Sequence, residues 1–175
     1  MSRILVLGKN GQLGKSIQKI ILNNNIKTDE FTFLGREDLN LCDAKRVDNY
    51  FSVNSFDLII NCAAYTQVDK AEIDIKIANQ INNLAVAQIS NIAKAQKAKL
   101  IHISTDYVFD GQKNSAYKEI DITNPINFYG KTKLDGEIMI QKILPNDAII
   151  IRVGWLYSEY GKNFIKTILK LAKEQ

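Results

Sequence analysis

The sequence predicts an α/β fold built on a doubly wound parallel sheet, and two patterns along the chain support this. Short apolar runs alternate with segments of helical spacing, as expected when each strand is followed by a crossover helix. Most of these runs are continuously apolar rather than alternating in polarity, which indicates strands buried on both faces of a parallel sheet. The predicted strands are residues 3–7, 31–34, 56–60, 100–104 and 148–153.

Helices are expected between these strands. Helical spacing covers residues 12–23, 44–52, 75–97 and 162–173. In the longest of these segments, one mostly apolar stripe contains Ile77, Ile81, Leu84, Gln88 and Ile92. A further helix is expected to begin near Pro125, because Asn124 can cap a helix and proline suits its first position.

Composition narrows the class of protein. With 175 residues, 46% of them hydrophobic and 24% charged, the chain is typical of a single soluble globular domain. The net charge of +4 comes from scattered basic residues, so nucleic-acid binding is disfavoured and small anionic ligands fit equally well. No apolar run approaches the length of about 18 residues needed to cross a membrane, and the N-terminal run is too short for a signal peptide.

Cysteine and histidine offer no metal site. Cys42 and Cys62 match no metal-binding or redox spacing, which favours reduced thiols in a cytoplasmic protein. His102 is the only histidine, so a multi-histidine metal site is excluded. Its position in the apolar run "LIHIS" predicts a core residue with satisfied hydrogen bonds.

A glycine-rich turn follows the first predicted strand. In "ILVLGKNGQLGKS", Gly8, Gly11 and Gly14 lie between that strand and the first helix. Glycines at such a turn let the backbone approach a pyrophosphate, whose charge is met by the helix N-terminus. An ordinary glycine turn is the alternative, but the position directly after strand one favours dinucleotide binding.

The end of the second strand bears on the choice between NAD and NADP. An acidic residue there would accept a hydrogen bond from the ribose 2′-hydroxyl, whereas an arginine would favour a 2′-phosphate. The sequence offers Arg36 followed by Glu37 and Asp38, with Arg36 nearest the strand end. We therefore expect NADP(H) to be preferred and NAD(H) to remain possible, with Lys9 in the phosphate loop adding to that preference.

Tyr129 and Lys133 are four residues apart in "FYGKTK". On a helix they share a face, and an ammonium near a phenol stabilises the phenolate and lowers its pKa. The pair could serve as acid and base for a carbonyl and alcohol, although chance alone gives nearly one such pair. Gly130 and Gly136 in the same predicted helix each cost about 1 kcal/mol relative to alanine, which suggests a close approach of backbone or ligand.

A hydroxyl-bearing strand end supports the catalytic interpretation. "LIHISTDYVFDG" places Ser104, Thr105 and Asp106 at the carboxyl end of the fourth strand, the edge where open α/β sheets bind ligands. A hydroxyl at this edge could bind the substrate oxygen while Tyr129 transfers the proton.

Five motifs in order resemble those of dTDP-4-dehydrorhamnose reductase, a family of extended short-chain dehydrogenase/reductases. They are "VLGKNGQLG", "NCAAYTQVDKAE", "STDYVFDG", "NFYGKTKLDGE" and "RVGWLYS". The resemblance implies a Rossmann-like NAD(P)-binding domain over residues 1–175. It further implies hydride transfer from NADPH, or NADH in some members, to the C4 ketone of dTDP-4-dehydro-L-rhamnose. The product would be dTDP-L-rhamnose, a donor for bacterial cell-surface polysaccharide.

The resemblance also implies roles for individual residues. Tyr129 would be the proton donor, Lys133 its electrostatic partner and Thr105 the hydroxyl that polarises the ketone. The substrate contacts implied are Thr105, Asp106, Tyr107 and Trp155. The cofactor contacts implied are Gly8, Gly11, Gln12, Leu13, Gly14, Arg36, Asn40, Leu41, Ala64, Tyr65, Thr66, Tyr129 and Lys133. Asn40 departs from the family, which more often has aspartate before the apolar residue.

Family members continue well beyond "NFIKTILKLAKEQ" into a smaller substrate domain. We therefore expect a fragment truncated before that domain, able to bind dinucleotide but turning substrate over poorly. A homodimer of the full-length protein is a possible partner state. Two alternatives remain: another nucleotide-sugar epimerase or dehydratase, disfavoured because Tyr107 rather than an acid follows Asp106, and a non-catalytic NADP-binding regulator resembling that of methionine adenosyltransferase.

Overall fold

A parallel sheet of five strands organises the chain, of which the computed structural model describes residues 1–174. The strands are β1 (Arg3–Leu7), β2 (Glu30–Leu34), β3 (Leu58–Asn61), β4 (Lys99–Thr105) and β5 (Ala148–Val153). Their order in the sheet is β2-β1-β3-β4-β5, and every neighbouring pair is parallel. The winding direction reverses at β1, which confirms the doubly wound α/β prediction and places a ligand crevice at the carboxyl ends of β1 and β3.

Seven helices connect or follow these strands within residues 1–174. They are α1 (Gln12–Asn23), α2 (Ala44–Val53), α3 (Val68–Ala71), α4 (Ile75–Asn79), α5 (Ala85–Gln96), α6 (Phe128–Ile143) and α7 (Phe164–Leu171). A π-helical turn over Gln80–Leu84 joins α4 to α5, and a 3₁₀ turn over Asp106–Val108 follows β4. None of the helices in this described part is both long and apolar enough to cross a membrane.

The main core lies between the sheet and helices α2, α5 and α6. Leu5, Ile59 and Leu100, from the three central strands, are at most 1% exposed. Ile89 of α5 and Ile140 of α6 are buried against them. Burial of each such side chain contributes about 1.5–3 kcal/mol, so these contacts fix the position of α6 relative to β4.

The π-helical turn changes the predicted apolar stripe of the long helix. Ile77 and Ile81 face the crevice, but Leu84 is 49% exposed and the Gln88 amide donates to Ala44 O and Asp48 Oδ1. A π-helical turn contains one residue more than an α-helical turn, so it rotates the following face. The prediction was therefore wrong for Leu84 and Gln88.

Helix α6 begins later than the sequence predicts. Its N-cap is Asn127, whose Oδ1 accepts from Gly130 N at 2.7 Å, whereas the Asn124 amide donates to Asp110. The two glycines of α6 lie against protein backbone, as one of the sequence interpretations required. A Cβ on Gly130 would collide with Tyr107 O, and one on Gly136 with Asn82 O.

Strand β5 is not buried on both faces. Ile149 is 60% exposed and Ile151 is 42% exposed, because β5 is the edge strand of the sheet and α7 buries none of its own residues. The prediction of two-sided burial is wrong for this strand.

Candidate functional site

The turn after β1 forms a backbone cradle at the carboxyl edge of the sheet. Gly8 has φ of +84°, and a Cβ at this position would lie 2.8 Å from Ala63 N. Helix α1 then begins with Gly11 as its N-cap, without a side-chain cap and without an acidic residue in the first turn. The first amides of a helix have no carbonyl partner within it, so this end can receive an anion.

A cleft of about 750 Å³ opens above this turn. Lys9, expected to add to the preference for NADP, is paired with Asp38 and Glu37 and does not line this cleft, whereas all residues to which the family resemblance assigns a role do. They are Gly8, Gly11, Gln12, Leu13, Gly14, Arg36, Asn40, Leu41, Ala64, Tyr65, Thr66, Thr105, Asp106, Tyr107, Tyr129, Lys133 and Trp155. The strand order explains this convergence, since the loops after β1, β2, β3, β4 and β5 all meet at one edge of the sheet.

Helix α6 brings the phenol and the ammonium to the cleft from one face. Tyr129 is 8% exposed and Lys133 is 1% exposed, one helical turn apart. The start of the helix is held by the Asn127 cap and by Glu72, whose Oε1 accepts from Phe128 N at 2.7 Å. The Tyr129 ring also packs edge-to-face against Tyr107, with ring centroids 5.7 Å apart.

The Tyr129 phenol does not have the lowered pKa that the spacing suggests. Burial raises its pKa, Asp106 and Tyr107 act in the same direction, and the Thr105 hydroxyl opposes them. Lys133 is not among the groups that shift it. In this arrangement the phenol therefore keeps its proton at neutral pH.

The Lys133 ammonium is held on the side of the sheet instead. Its Nζ donates to Ile103 O at 2.7 Å and lies 3.1 Å from His102 Nε2. Burial lowers the pKa of Lys133 to about 8, and Glu137 one turn further along α6 opposes that shift. Lys133 can therefore change its charge close to neutral pH.

The carboxyl end of β4 separates its three polar residues. Ser104 Oγ donates to the buried Glu137, which also pairs with Arg152 at 2.6 Å, so Ser104 belongs to a structural network. Thr105 Oγ1 faces the cleft, donating to Asp106 Oδ1 at 3.1 Å and accepting from Tyr107 N. Thr105 is thus the hydroxyl that remains beside Tyr129.

Trp155 lies at the outer rim of the cleft. It is 71% exposed, has φ of +54° and packs edge-to-face on Phe164 at 4.6 Å. Its left-handed backbone is unusual for a bulky residue and directs the indole away from the core. The Gln12 amide is bonded to Ser158, Asn163 and Leu156, which ties the start of α1 to the segment before α7.

The acidic residues after β2, Glu37 and Asp38, form ion pairs and hydrogen bonds with the loop after β1. Lys9 Nζ lies 2.6 Å from Asp38 Oδ2 and 3.2 Å from Glu37 Oε1, and Asn10 donates to both Glu37 oxygens. The hydrogen bond from Lys9 lowers the pKa of Asp38, and the hydrogen bond from Asn10 lowers the pKa of Glu37. Arg36 lines the cleft without such a partner among the described residues.

Three buried polar residues were not found from the sequence as parts of the site. Asn82, in the π-helical turn, accepts from Tyr65 N and donates to Tyr65 O and Thr132 Oγ1, so it joins the loop after β3 to α6. Asn61 and His102 lie behind Lys133. The only signal was a polar residue inside an apolar run, as in "LIIN" and "QINNL".

Comparison with known proteins gives consistent relatives. The dTDP-4-dehydrorhamnose reductase of Aggregatibacter actinomycetemcomitans is 40% identical over all of this chain and 58% of its own length. The dTDP-4-keto-6-deoxy-D-glucose reductase of Streptomyces niveus is 34% identical over 97% of this chain and 58% of its own. The chain thus spans less than two thirds of these relatives.

A solved structure gives the same result. The dTDP-4-dehydrorhamnose reductase of Bacillus anthracis, determined in complex with NADP, superposes with a TM-score of 0.91 and 35% identity, covering 99% of this chain and 60% of that one. The family model described as RmlD substrate binding domain matches residues 1–175. Since this match covers the whole sequence, the chain belongs to the RmlD substrate binding domain family.

Proposed function

We propose that this chain binds NADP(H) and supplies the proton donor for reducing the C4 ketone of dTDP-4-dehydro-L-rhamnose to dTDP-L-rhamnose. The observation that carries the proposal is the convergence of Thr105, Tyr129 and Lys133 in the same cleft as the glycine turn. The names of the relatives support a reductase of a dTDP-keto sugar, and the NADP in the Bacillus anthracis structure supports the cofactor.

The glycine turn fits a dinucleotide pyrophosphate. A side chain at Gly8 would fill the space beside Ala63, and no acidic residue of the first turn of α1 would repel a phosphate. The uncapped amides of α1 would instead donate to it. A bound NADPH would supply the hydride for the ketone carbon.

The protonation states favour reduction. Burial keeps the Tyr129 phenol protonated, so at rest it is a donor for the oxygen of a ketone that accepts a hydride. The Thr105 hydroxyl, which here donates to Asp106 Oδ1, would have to turn from that carboxylate to donate to the same oxygen and polarise the carbonyl. When Tyr129 gives up its proton, the Lys133 ammonium would stabilise the phenolate after its Nζ turns from Ile103 O toward the phenol.

The surroundings of β2 favour the 2′-phosphate of NADP over the free hydroxyl of NAD. Glu37 and Asp38 are ion-paired with Lys9, and neither is among the residues that line the cleft, so neither carboxylate is placed to accept from a ribose hydroxyl there. Arg36 is left as the charge nearest the end of β2 that faces the cleft. A guanidinium can bind a phosphate with two parallel hydrogen bonds.

The substitution Arg36→Ala tests this cofactor choice. We expect it to weaken binding of NADPH by about tenfold to a hundredfold, as for a loss of one charged hydrogen-bond pair, and to leave binding of NADH almost unchanged. Calorimetric titration of the 175-residue chain with each dinucleotide measures both constants. Equal losses for the two dinucleotides would show that Arg36 does not bind the 2′-phosphate.

The catalytic assignment is tested by NADPH oxidation with the dTDP-keto sugars named for the two relatives. Tyr129→Phe should lower turnover by about 10²–10⁴-fold while leaving dinucleotide binding nearly intact, because only the phenolic hydroxyl is removed. Tyr50→Phe removes another partly buried phenol outside the cleft and should leave turnover unchanged.

If the chain binds dinucleotide without turnover, the same assay is run on a chimera. Residues 1–175 are joined to the remaining C-terminal part of the Aggregatibacter relative. Turnover that depends on Tyr129 supports the proposal. A chimera that stays inactive, or activity that survives Tyr129→Phe, would contradict it.

A further inference from the structure

A line of buried polar groups runs from the loop after β3 to Lys133. Ala63 N donates to Asn61 Oδ1 at 3.1 Å, and Asn61 Nδ2 lies 3.2 Å from His102 Nδ1. His102 Nε2 lies 3.1 Å from Lys133 Nζ. Asn61, His102 and Lys133, here called the Asn61–His102–Lys133 chain, are each at most 1% exposed, so they must find hydrogen-bond partners in one another and in the neighbouring backbone.

Donor and acceptor roles can be assigned along this chain from one end. The Ala63 N–H can be satisfied only by the amide oxygen of Asn61, so the Asn61 NH₂ group faces His102. Nδ1 of the imidazole must then be an acceptor. Burial lowers the pKa of His102 far below its usual value, so the ring is neutral and carries its one proton on Nε2.

This assignment restricts the protonation state of Lys133. An N–H on His102 Nε2 points at Lys133 Nζ, and a neutral amine can accept from it with its lone pair while donating to Ile103 O. An ammonium has three donors and no lone pair, so it would need Nε2 to be an acceptor. The imidazole proton would then lie on Nδ1, opposite the Asn61 NH₂ group. Rotating the Asn61 amide would remove that conflict but leave Ala63 N–H without its acceptor.

We propose that Asn61 and His102 are positioning residues that couple the charge of Lys133 to the tautomer of His102. With a neutral amine the imidazole proton lies on Nε2, and with an ammonium it lies on Nδ1. The net change is uptake of one proton at Lys133 Nζ. The imidazole keeps a single proton in both states: its Nε2–H bond breaks as an Nδ1–H bond forms, and the hydrogen bonds of Asn61 rearrange.

Other titratable groups lie around this chain on the elements packed against it. Glu137 on α6 is ion-paired with Arg152 of β5. Burial raises the pKa of Tyr129, on α6, above its usual value and that of Cys62, after β3, to about 11. Asp106 and Tyr107 follow β4 on the cleft side. Lys133 is therefore the group whose titration the tautomer would follow.

The coupling would matter to the reaction as follows, a step that rests on the proposed function. After Tyr129 has given its proton to the product oxygen, Lys133 could supply a replacement once its Nζ turns from Ile103 O toward the cleft that both residues line. Release of that proton leaves a neutral amine, the state that the Asn61–His102–Lys133 chain satisfies without rotating Asn61. Asn61 and His102 thus make Lys133 a better proton source without touching the substrate.

The tautomer can be read directly because the sequence contains one histidine. Long-range ¹⁵N–¹H NMR spectra of the labelled 175-residue chain distinguish Nδ1–H from Nε2–H, and the ¹³Cε signal of Lys133, assigned with Lys133→Met, reports its charge. Between about pH 7 and about pH 10 we expect Nε2–H to replace Nδ1–H along the same curve as Lys133 loses its proton. A single tautomer throughout the titration of Lys133 would overturn the proposal.

Asn61→Asp should reverse the preference. Its carboxylate can accept from Ala63 N–H and from Nδ1–H together, so the Nδ1–H tautomer should persist and Lys133 should titrate about one pH unit higher. Asn82→Asp is the matched control, since it also adds a buried carboxyl beside α6 but lies outside the chain; its tautomer curve should follow the wild type. An unchanged Lys133 titration in Asn61→Asp would contradict the coupling. If that variant does not fold, the wild-type titration alone decides.

None of these spectra requires a cofactor or a substrate. A failed coupling would therefore leave the proposed reductase activity intact, and an inactive enzyme would leave the tautomer result intact. In an active enzyme, Asn61→Asp should also shift the pH profile of kcat to higher pH by the same amount as the Lys133 titration. A mere loss of stability would not produce that shift.

Discussion

Two regions of the molecule differ in which side chains they bury: one buries ionisable side chains, and the other leaves large apolar side chains exposed. Behind the cleft, His102, Lys133 and Glu137 are at most 1% exposed although each can carry a charge. At the far edge of the sheet, large apolar side chains of β5 and α7 are exposed to between 42% and 60%. This C-terminal apolar face consists of Ile149, Ile151, Phe164, Ile165, Ile168, Leu169 and Leu171.

The difference shows which side chains are held in fixed positions by the fold. Within residues 1–174, no buried side-chain nitrogen or oxygen lacks a hydrogen-bond partner, so the polar groups behind the cleft are fixed in position by one another. The exposed apolar side chains form no hydrogen bonds and bury little of their surface, so replacing them should change stability little. Substitutions of the same type should therefore have large effects in the first region and small effects in the second.

The largest contrast is expected for two ion pairs. Glu137 pairs with Arg152 at 2.6 Å with side chains 1% and 20% exposed, whereas Lys170 and Glu174 of the C-terminal helix region lie 3.7 Å apart and are 76% and 56% exposed. Glu137→Ala should lower the free energy of unfolding by about 3–5 kcal/mol, because it leaves Arg152 and Ser104 without their acceptor. Glu174→Ala should change it by about 0.5 kcal/mol or less.

Urea unfolding of the two variants measures this contrast. A matched Glu137→Gln variant keeps the shape of the side chain and should recover part of the loss, since its amide oxygen can still accept from Ser104 or Arg152. Similar losses for Glu137→Ala and Glu174→Ala would show that the buried pair is not a fixed part of the fold.

Much of the architecture could be predicted because it depends on local patterns. Continuous apolar runs placed the five strands within three residues of their observed bounds, and Gly8 could be recognised because a tight turn there excludes a side chain. The glycines at 130 and 136 indicated a close approach of backbone or ligand, and in the fold it is backbone that approaches. These features depend on neighbouring residues in the sequence or on a single steric rule.

Other features depend on contacts between distant residues and could not be predicted. Asn124 and Asn127 are equally good caps by composition, but Asp110 holds the first and leaves the second to cap α6. The π-helical turn adds one residue to a helical turn, and the apolar spacing of the residues before it gives no sign of this. Lys133 turns toward Ile103 O and His102, and only the fold shows that these acceptors are closer at hand than the phenol.

A second contrast concerns pH and uses Lys133. Its pKa is about 8 in the folded chain, lowered by burial from 10.5, so between these values the unfolded chain binds more protons than the folded one. Stability must then rise with pH over that window, by about 3 kcal/mol in total at 1.36 kcal/mol per unit of pKa. Below about pH 8 Lys133 is protonated in both states, so it no longer makes stability change with pH.

The measurement compares the wild type with Lys133→Met from about pH 7.5 to about pH 10.5, by urea unfolding at each pH. Groups such as Cys62 and Tyr129 titrate in both proteins, so their effects cancel in the difference. Lys170→Met, at an exposed lysine of α7, is the control for the loss of a lysine. A pH-independent difference for Lys133→Met would mean that this lysine has the same pKa folded and unfolded.

The smallest contrast compares single methylene groups in helices from the two regions. Ile140 of α6 is 1% exposed within the main core, while Ile168 of α7 is 47% exposed. Ile140→Val should cost about 0.5–1.5 kcal/mol through the lost contacts and the small cavity that remains. Ile168→Val should change stability by less than about 0.5 kcal/mol, because water already covers much of the side chain. Both substitutions keep a β-branched residue in a helix, so helix propensity cancels and only burial differs. Equal costs would mean that α7 packs against the chain as tightly in solution as α6 does, and the division into two regions would then fail.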